Sequence, residues 1–483
     1  MTTDRETDGG AGAVARPAGP VLPIVAGLLL GACLAGLWRC AAILPLRVPL
    51  NYNEGWNAYH TAAAMAGLGP YPSAGSFMTN NYPPLSFYLV GWLGSPLHDF
   101  IVAGRAVSLA SFLVVCGAIV AVARRLGGSP LEASFAALLF AGFLLLFTGY
   151  VGMDDPQLLG QATQMLGLAL LLSGARSVLR DPGGAALLVV GLFVKHNLIA
   201  LPVALLVWLA FYEKGRAFRL AGLMLLFGVA GLVVFRVAFG VDLPPLLNSA
   251  RVYSLEHGVA TFGVWVELAA IMLGATIFAG VVGNRGGRFC VIYAAVSIAF
   301  GAFACAGLGV SLNVLFDATI AVALGSGCAL ALFSAPTRLA KAVRVALPLA
   351  LAAPLAFGVQ QLSDARTFEP DFWLHPMQAQ ARAASQDIAY LRAHDGPAVC
   401  VMLSLCYWAG KAPGVDAFNV EMQFRTGARS EGPLLARLHD RAFTVIQLDL
   451  PQSLQPPVST AISQSYRVDR TTADGQFLIP KPD

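Results

Sequence analysis

Apolar segments recur through the first 360 residues of this chain, most of them near the roughly 20 residues that a helix needs to cross a bilayer. They lie at 21–44, 100–123, 130–149, 156–175, 184–194, 197–211, 219–239, 262–283, 288–308, 314–333 and 343–360. In hydrocarbon each backbone polar group must be satisfied within its own segment, so such stretches fold as helices. Composition agrees, with only 12% charged residues against about 25% in soluble domains. A cytosolic enzyme is excluded. The net charge of +4 is too small to indicate an anionic partner, and no nucleic acid is expected. The reading is an all-α polytopic membrane protein of about eleven transmembrane helices,.

Charge divides the chain. Residues 1–360 hold 34 charged side chains and the last 123 hold 24. We therefore read residues 1–19 as a disordered cytoplasmic tail, 20–360 as the membrane body and 361–483 as a water-exposed domain,. Lys and Arg are enriched in short cytoplasmic loops. With the N-terminus inside, 14 of the 20 basic residues before position 361 fall on the inner side, including Arg124, Arg125, Arg176, Arg180, Lys214, Arg216 and Arg219. Residues 184–211 decide the parity. One long helix would turn the 214–219 cluster outward, whereas a hairpin around Lys195, His196 and Asn197 keeps it inside. The hairpin is preferred, with two short spans or a re-entrant pair serving equally. Residues 361–483 are then extracytoplasmic, with the loops at 45–99, 150–155, 240–261 and 309–313.

Chemistry-bearing residues crowd that outer side. The first outer loop reads NYNEGWNAYH, then GLGPYP, then TNNYPPLSFYLVGWL. Its Trp and Tyr residues suit a membrane interface, and surface helices are expected near 55–67 and 84–94,. Glu54 is the only acidic residue between Asp8 and Asp99; it reads either as a solvated loop carboxylate or as a general base,. Asp154 and Asp155 precede Pro156. Asp155 suits a helix N-cap with proline following, which leaves Asp154 over; the pair could also bind a divalent cation or orient a sugar,. Lys195 sits at membrane depth, where an ionisable group is a functional candidate by default, with a snorkelling lysine as the plainer alternative,. Asn313 and Asp317 make a similar case, while Arg251 lies in a loop that solvation alone explains.

Six cysteines lie in or near the apolar spans, and Cys400 and Cys406 lie in the outer domain, where an oxidising compartment permits a bond between them,. A strand over 398–404 leaves its geometry open. That domain reads as a small α/β layer, with helices at 376–393 and 431–440, strands in AVCVML and FTVIQL, and a terminal hairpin in SYRVDR–TTADG–QFLIP.

The stretches NYNEGWNAYH at 51–60, NNYPPLSFYLVG at 80–91, MDDPQ at 153–157, FVKHN at 193–197 and SLNVLFD at 311–317 resemble the GT-C superfamily of polytopic membrane glycosyltransferases. CYWAGK at 406–411 and FTVIQLD at 443–449 add to the likeness, which covers about residues 20–450. Within it the chain is most similar to the RgtA/B/C/D-like branch, related to protein O-mannosyltransferases and aminoarabinose transferases. The resemblance implies transfer of a sugar from a polyprenyl-phosphate donor to a glycolipid, polysaccharide or protein on the extracytoplasmic face of the inner membrane. It puts Glu54 in the place of the first-loop catalytic acid, although Asn53 stands where many relatives carry a second acid. Asp154 or Asp155 is then expected to complete the catalytic pair. Asn53, Tyr59, His60, Asn81, Tyr82, Lys195, His196, Asn197, Arg251, Asn313 and Asp317 are expected to contact substrate. Lys195 is the first choice to stabilise the leaving phosphate, with Arg251 second and a divalent cation as a substitute,. The rivals are a secondary transporter, which should show repeated halves, and a non-catalytic subunit of cell-envelope assembly.

Overall fold

The structure is a computed structural model, and it describes residues 20–73, 75–174, 177–333, 337–361, 370–449 and 454–482. The expected tail, Arg176 and the start of the outer domain fall outside these. The chain is a multi-pass, largely helical membrane protein with one small sheet. It begins with α1 (Val21–Ile43), α2 (Tyr52–Met65), α3 (Leu85–Gly94), α4 (Phe100–Arg125) and α5 (Pro130–Phe147). Next come α6 (Gln157–Leu171), α7 (Arg180–Val194), α8 (Ala200–Tyr212), α9 (Lys214–Phe239) and α10 (Leu243–Leu247). The body closes with α11 (Leu255–Val282), α12 (Arg285–Cys305), α13 (Phe316–Leu332) and α14 (Arg338–Gln361).

Eight of the described helices are long and apolar enough to cross a membrane: α1, α4, α5, α9, α11, α12, α13 with its leading turn, and α14. The other three apolar segments form α6, α7 and α8, which are shorter. The preferred hairpin is present. α7 stops at Val194, α8 starts at Ala200, and Lys195 caps the first arm in an extended conformation. Helix starts follow local chemistry. Ser129 and Glu132 form a capping box ahead of α5, and Asp99 accepts from the backbone N–H groups of Ile101 and Val102 at the head of α4,. The 240–261 loop is shorter than its composition suggests, because Ser254 caps α11 and the helix begins at Leu255.

α13 is the hub of the bundle, packing against α4, α5, α11, α12 and α14. Its run AVALGSGCALAL is made of small residues, and small residues let helix backbones approach closely where no water drives association,. The same device joins α6 to α7. A Cβ on Gly167 would lie 3.0 Å from the Gly184 carbonyl oxygen, and one on Gly160 would lie 3.3 Å from that of Gly191.

The C-terminal part comprises α15 (Pro370–Ala393), β1 (Ala398–Cys400), α16 (Leu403–Trp408), α17 (Ala417–Arg425), α18 (Gly432–His439), β2 (Val445–Leu448), α19 (Val458–Ser465), β3 (Tyr466–Thr472) and β4 (Gly475–Pro480). The strand order is β1-β2-β4-β3, with β1 and β2 parallel and the other pairs antiparallel. Strand β1 ends at Cys400 rather than continuing to 404. The chain turns into α16, and a Cys400–Cys406 disulfide closes the turn with the two Cα atoms 5.9 Å apart. This layer is bolted to the first outer loop. Trp408 Nε1 donates to Asp99 Oδ2 at 3.1 Å, Trp56 Nε1 donates to Asp416 Oδ2 at 3.0 Å, and Tyr59 Oη donates to the Lys411 carbonyl at 2.9 Å.

Candidate active site

Helix α2 places its residues on three sides. Glu54, Asn57 and Thr61 follow helical spacing and look toward α4 and the 150–156 loop, where Asn57 Nδ2 donates to the Asp154 carbonyl at 2.7 Å,. Trp56 and His60 face the other way, and both contact the Thr79 carbonyl, at 3.0 and 2.9 Å. Tyr59 faces α16. Tyr59 and His60, expected at substrate, thus lie on other faces of α2 than Glu54 and line a separate cavity with Tyr71 and Pro413.

Glu54 is wholly buried, not a solvated loop residue. Arg105 of α4 grips it with two parallel bonds, Nε to Oε1 at 2.7 Å and Nη2 to Oε2 at 2.6 Å. The remaining guanidinium donors reach the Leu46 and Val48 carbonyls, each at 2.7 Å. Arg105 is itself 0% exposed and ties the end of α1 to α2 and α4. A buried charge pair persists only when its hydrogen bonds are satisfied, and this one is. The backbone N–H of Asp154 also donates to Glu54 Oε1, at 3.2 Å. Both oxygens of the expected base are thus engaged.

Asp154 has the opposite character. It is buried, and its Oδ2 has no protein partner. Burial, then the charges of Glu54 and Asp155, push its pKa well above the ordinary aspartate range, with Arg105 opposing. Its carboxyl rests on Gly104, where a Cβ would fall 1.9 Å from Oδ1. Successive residues of α4 therefore seat one acid and clamp the other. Asp154 and Asp155 line a narrow cavity with Asn57, Thr61 and Ser86.

Asp155 accepts from the Gln157 N–H at 2.8 Å, as its capping position suggests, and from Lys195 Nζ at 2.7 Å. Lys195 is 3% exposed and lies 5.1 Å from the Tyr82 ring centroid. His196 packs edge-on to the same ring, its Nδ1 unpartnered. The hydroxyls of Tyr52, Tyr82 and Tyr150 all feel the Asp155 charge, and burial above all keeps them protonated. Arg251 reaches the same corner: it acts electrostatically on Tyr52 and Tyr82, donates to the Leu308 carbonyl at 3.0 Å and lies over Phe418. One corner thus gathers Asp155, two cations and three phenols, with Asp154 next to it in the chain.

Other expected residues sit apart. Asp317 accepts from Gln161 Nε2 at 3.2 Å and Tyr293 Oη at 3.1 Å, so it is satisfied inside the bundle by α6 and α12. Asn313 is buried in the turn that leads into α13. Asn53 lies in the first turn of α2, where its N–H donates to the Asn51 cap. Asn197 is exposed at the hairpin tip. Asn81 donates to Ser249 Oγ at 3.0 Å. Arg105, Asn57 and Asp416 had not been singled out; the signal for Arg105 is a lone charge within the apolar run IVAGRAVSLASFL,. Gln157, Gln161 and Gln164 form a further polar stripe on α6, and each keeps an unpartnered Oε1. Among the described residues no three His, Cys, Asp or Glu side chains converge to hold a metal ion.

No protein-family model matches the chain, and no curated protein matches it in sequence. Solved structures do. The apo crystal structure of ArnT from Cupriavidus metallidurans superimposes with a TM-score of 0.61 at 14% identity, covering 95% of this chain and 99% of that one. ArnT from the same organism bound to undecaprenyl phosphate gives 0.59 at 13% identity over the same shares. The likeness spans the bundle and the C-terminal layer together.

Proposed function

From its ArnT-like GT-C fold, we propose that this chain transfers a sugar from a polyprenyl-phosphate donor to an acceptor hydroxyl at the extracytoplasmic face. The reading takes support from the undecaprenyl phosphate bound to ArnT, and from a site that supplies what such a transfer needs. The observation that carries it is Asp154: a buried carboxyl with a raised pKa and an unpartnered oxygen, next in sequence to the Asp155 that holds Lys195.

In this reading the acceptor hydroxyl gives its proton to Asp154 as its oxygen bonds to the anomeric carbon. The bond from that carbon to the phosphate oxygen breaks, and the electron pair leaves with polyprenyl phosphate. A carboxyl with a free oxygen and a raised pKa suits this role better than one with both oxygens held by arginine,. Glu54 is then a positioning residue. With Arg105 it anchors the Asp154 backbone, and its charge helps hold the Asp154 pKa up. The leaving phosphate gains negative charge, and preorganised cations in a dry site stabilise such charge strongly. In this reading Lys195, oriented by Asp155, and Arg251 supply that charge. One base and no second free carboxylate favour a single inverting displacement. Asp155 is committed to Lys195 through Oδ1. In this reading Lys195 serves as the cation at the leaving phosphate,.

The test is purified protein in nanodiscs with a panel of radiolabelled polyprenyl-phosphate sugars. Wild type should release polyprenyl phosphate, Asp154→Asn should not, and Glu54→Gln should retain a measurable rate. Equal turnover by wild type and Asp154→Asn would remove Asp154 as the base.

A further inference from the structure

A groove of about 310 Å3 opens between three chain segments: the first outer loop at 71–81, the 245–250 turn and the stretch from α17 to Arg429. These are far apart in sequence, and polar contacts stitch them together. Thr79 Oγ1 donates to the buried Asp416 Oδ2 at 2.8 Å, Arg429 Nη2 donates to the Ser76 carbonyl at 2.6 Å, and Asn81 Nδ2 donates to Ser249 Oγ at 3.0 Å. The recess is thus held by the fold and is not a gap between loosely joined parts. Its volume falls at the lower end of the range for small-molecule sites, about 300–1,000 Å3.

Its chemistry is narrow. Five carboxamides line it: Asn80 is spent on the Pro70 carbonyl and the Tyr82 N–H, Asn81, Asn419 and Gln423 each use one end on Ser249, Asp416 and Arg429 and keep the other, and Asn248 is exposed beside them. No Asp or Glu lines it, and its one formal charge, Arg429, is engaged with Ser76 and lies over the Phe77 ring. A carboxamide presents donors and an acceptor side by side, matching a sugar hydroxyl, which is both. A uronate would lack a dedicated counter-charge, and an apolar peptide would leave the remaining free amide ends unpaired, which costs affinity. The groove neighbours the reacting corner in the chain: Asn81 lines it, and the next residue, Tyr82, is the ring beside Lys195.

We propose that this groove binds the neutral saccharide portion of the acceptor, with the C-terminal layer supplying one wall. The proposal rests on the transferase reading and adds the acceptor's class to it. Full-length protein in nanodiscs is titrated with a neutral hexose trisaccharide, a uronic-acid trisaccharide and a serine-rich peptide, followed by ligand-observed NMR. Wild type should bind the neutral trisaccharide in preference to the others. Asn248→Leu, at an exposed position, and separately Gln423→Leu should each weaken that binding at least tenfold, with unfolding temperature and undecaprenyl phosphate binding unchanged. Asp154→Asn should leave saccharide binding intact. Preference for the uronate or the peptide, no binding of any probe, or groove variants that bind like wild type would each overturn the assignment. Failure of the transferase reading shows elsewhere, as a wild type that binds trisaccharide yet releases no polyprenyl phosphate from any donor.

Discussion

Gly104→Ala tests the Asp154 assignment without touching an ionisable group. The new Cβ would lie 1.9 Å from Asp154 Oδ1 and 2.1 Å from Cγ, whereas ordinary contact begins at 3.4 Å. Relief requires the carboxyl to retreat by the difference between 3.4 and 1.9, or 1.5 Å. A misplacement of about 1 Å at a reacting group costs on the order of 100-fold in rate, equivalent to about 2.7 kcal/mol of barrier. Stability should change much less. Alanine gains about 1 kcal/mol of helix propensity over glycine, which offsets much of an overpacking cost of about 1–3 kcal/mol. The expected result is kcat for sugar release down about 100-fold, with a thermal unfolding midpoint in nanodiscs within a few degrees of wild type. A variant that turns over at the wild-type rate would refute the reasoning, because a base displaced this far cannot still work.

Further outcomes follow from the same geometry. Because the Asp154 pKa is raised, turnover should climb with pH through that raised value and be lost below it, as a pH–rate profile will show,. Stability should run the other way: between the ordinary aspartate pKa and the raised one the folded state holds the extra proton, so stability falls as pH rises. Asp154→Asn should therefore abolish turnover yet unfold at a higher temperature than wild type near pH 7.5. Arg105→Ala strands the Glu54 charge and should cost about 3–5 kcal/mol, with Arg105→Met combined with Glu54→Gln recovering much of it, measured by chemical denaturation. Cys400→Ser with Cys406→Ser opens a short loop and should cost about 2 kcal/mol in the same assay. EDTA should leave sugar release unchanged, and a metal-dependent loss would show that Lys195 is not the working cation.

The helices could be read because hydropathy and charge are local properties. The hairpin at Lys195 was legible for that reason, since basic loops on both sides demanded it. What could not be read is pairing. Glu54 stands out by being alone in its loop, but nothing nearby reveals an arginine 51 positions later that occupies both its oxygens. Asp155 carries the signature of a cap, which it is, yet its bond to Lys195 spans two helices. Tyr59 and His60 belong to an apparent motif, and helical geometry turns them away from Glu54. The end of β1 at Cys400 was missed for a related reason: VCVML has strand propensity, and the disulfide and the backbone of α2 override it.

That last contact has a temporal consequence. A Cβ on Gly55, beside Glu54, would meet the Ser404 backbone nitrogen at 2.1 Å, so α16 is seated directly on the helix that carries the site. The ribosome makes these two surfaces some 350 residues apart, and at about 5–20 residues per second the first waits tens of seconds for the second. A chain halted before α16 would hold every acidic and basic group of the reacting corner yet lack the brace behind α2. Docking of the final quarter of the polypeptide onto α2 is thus the step that completes the site, and ribosome-stalled or C-terminally clipped copies should release no polyprenyl phosphate.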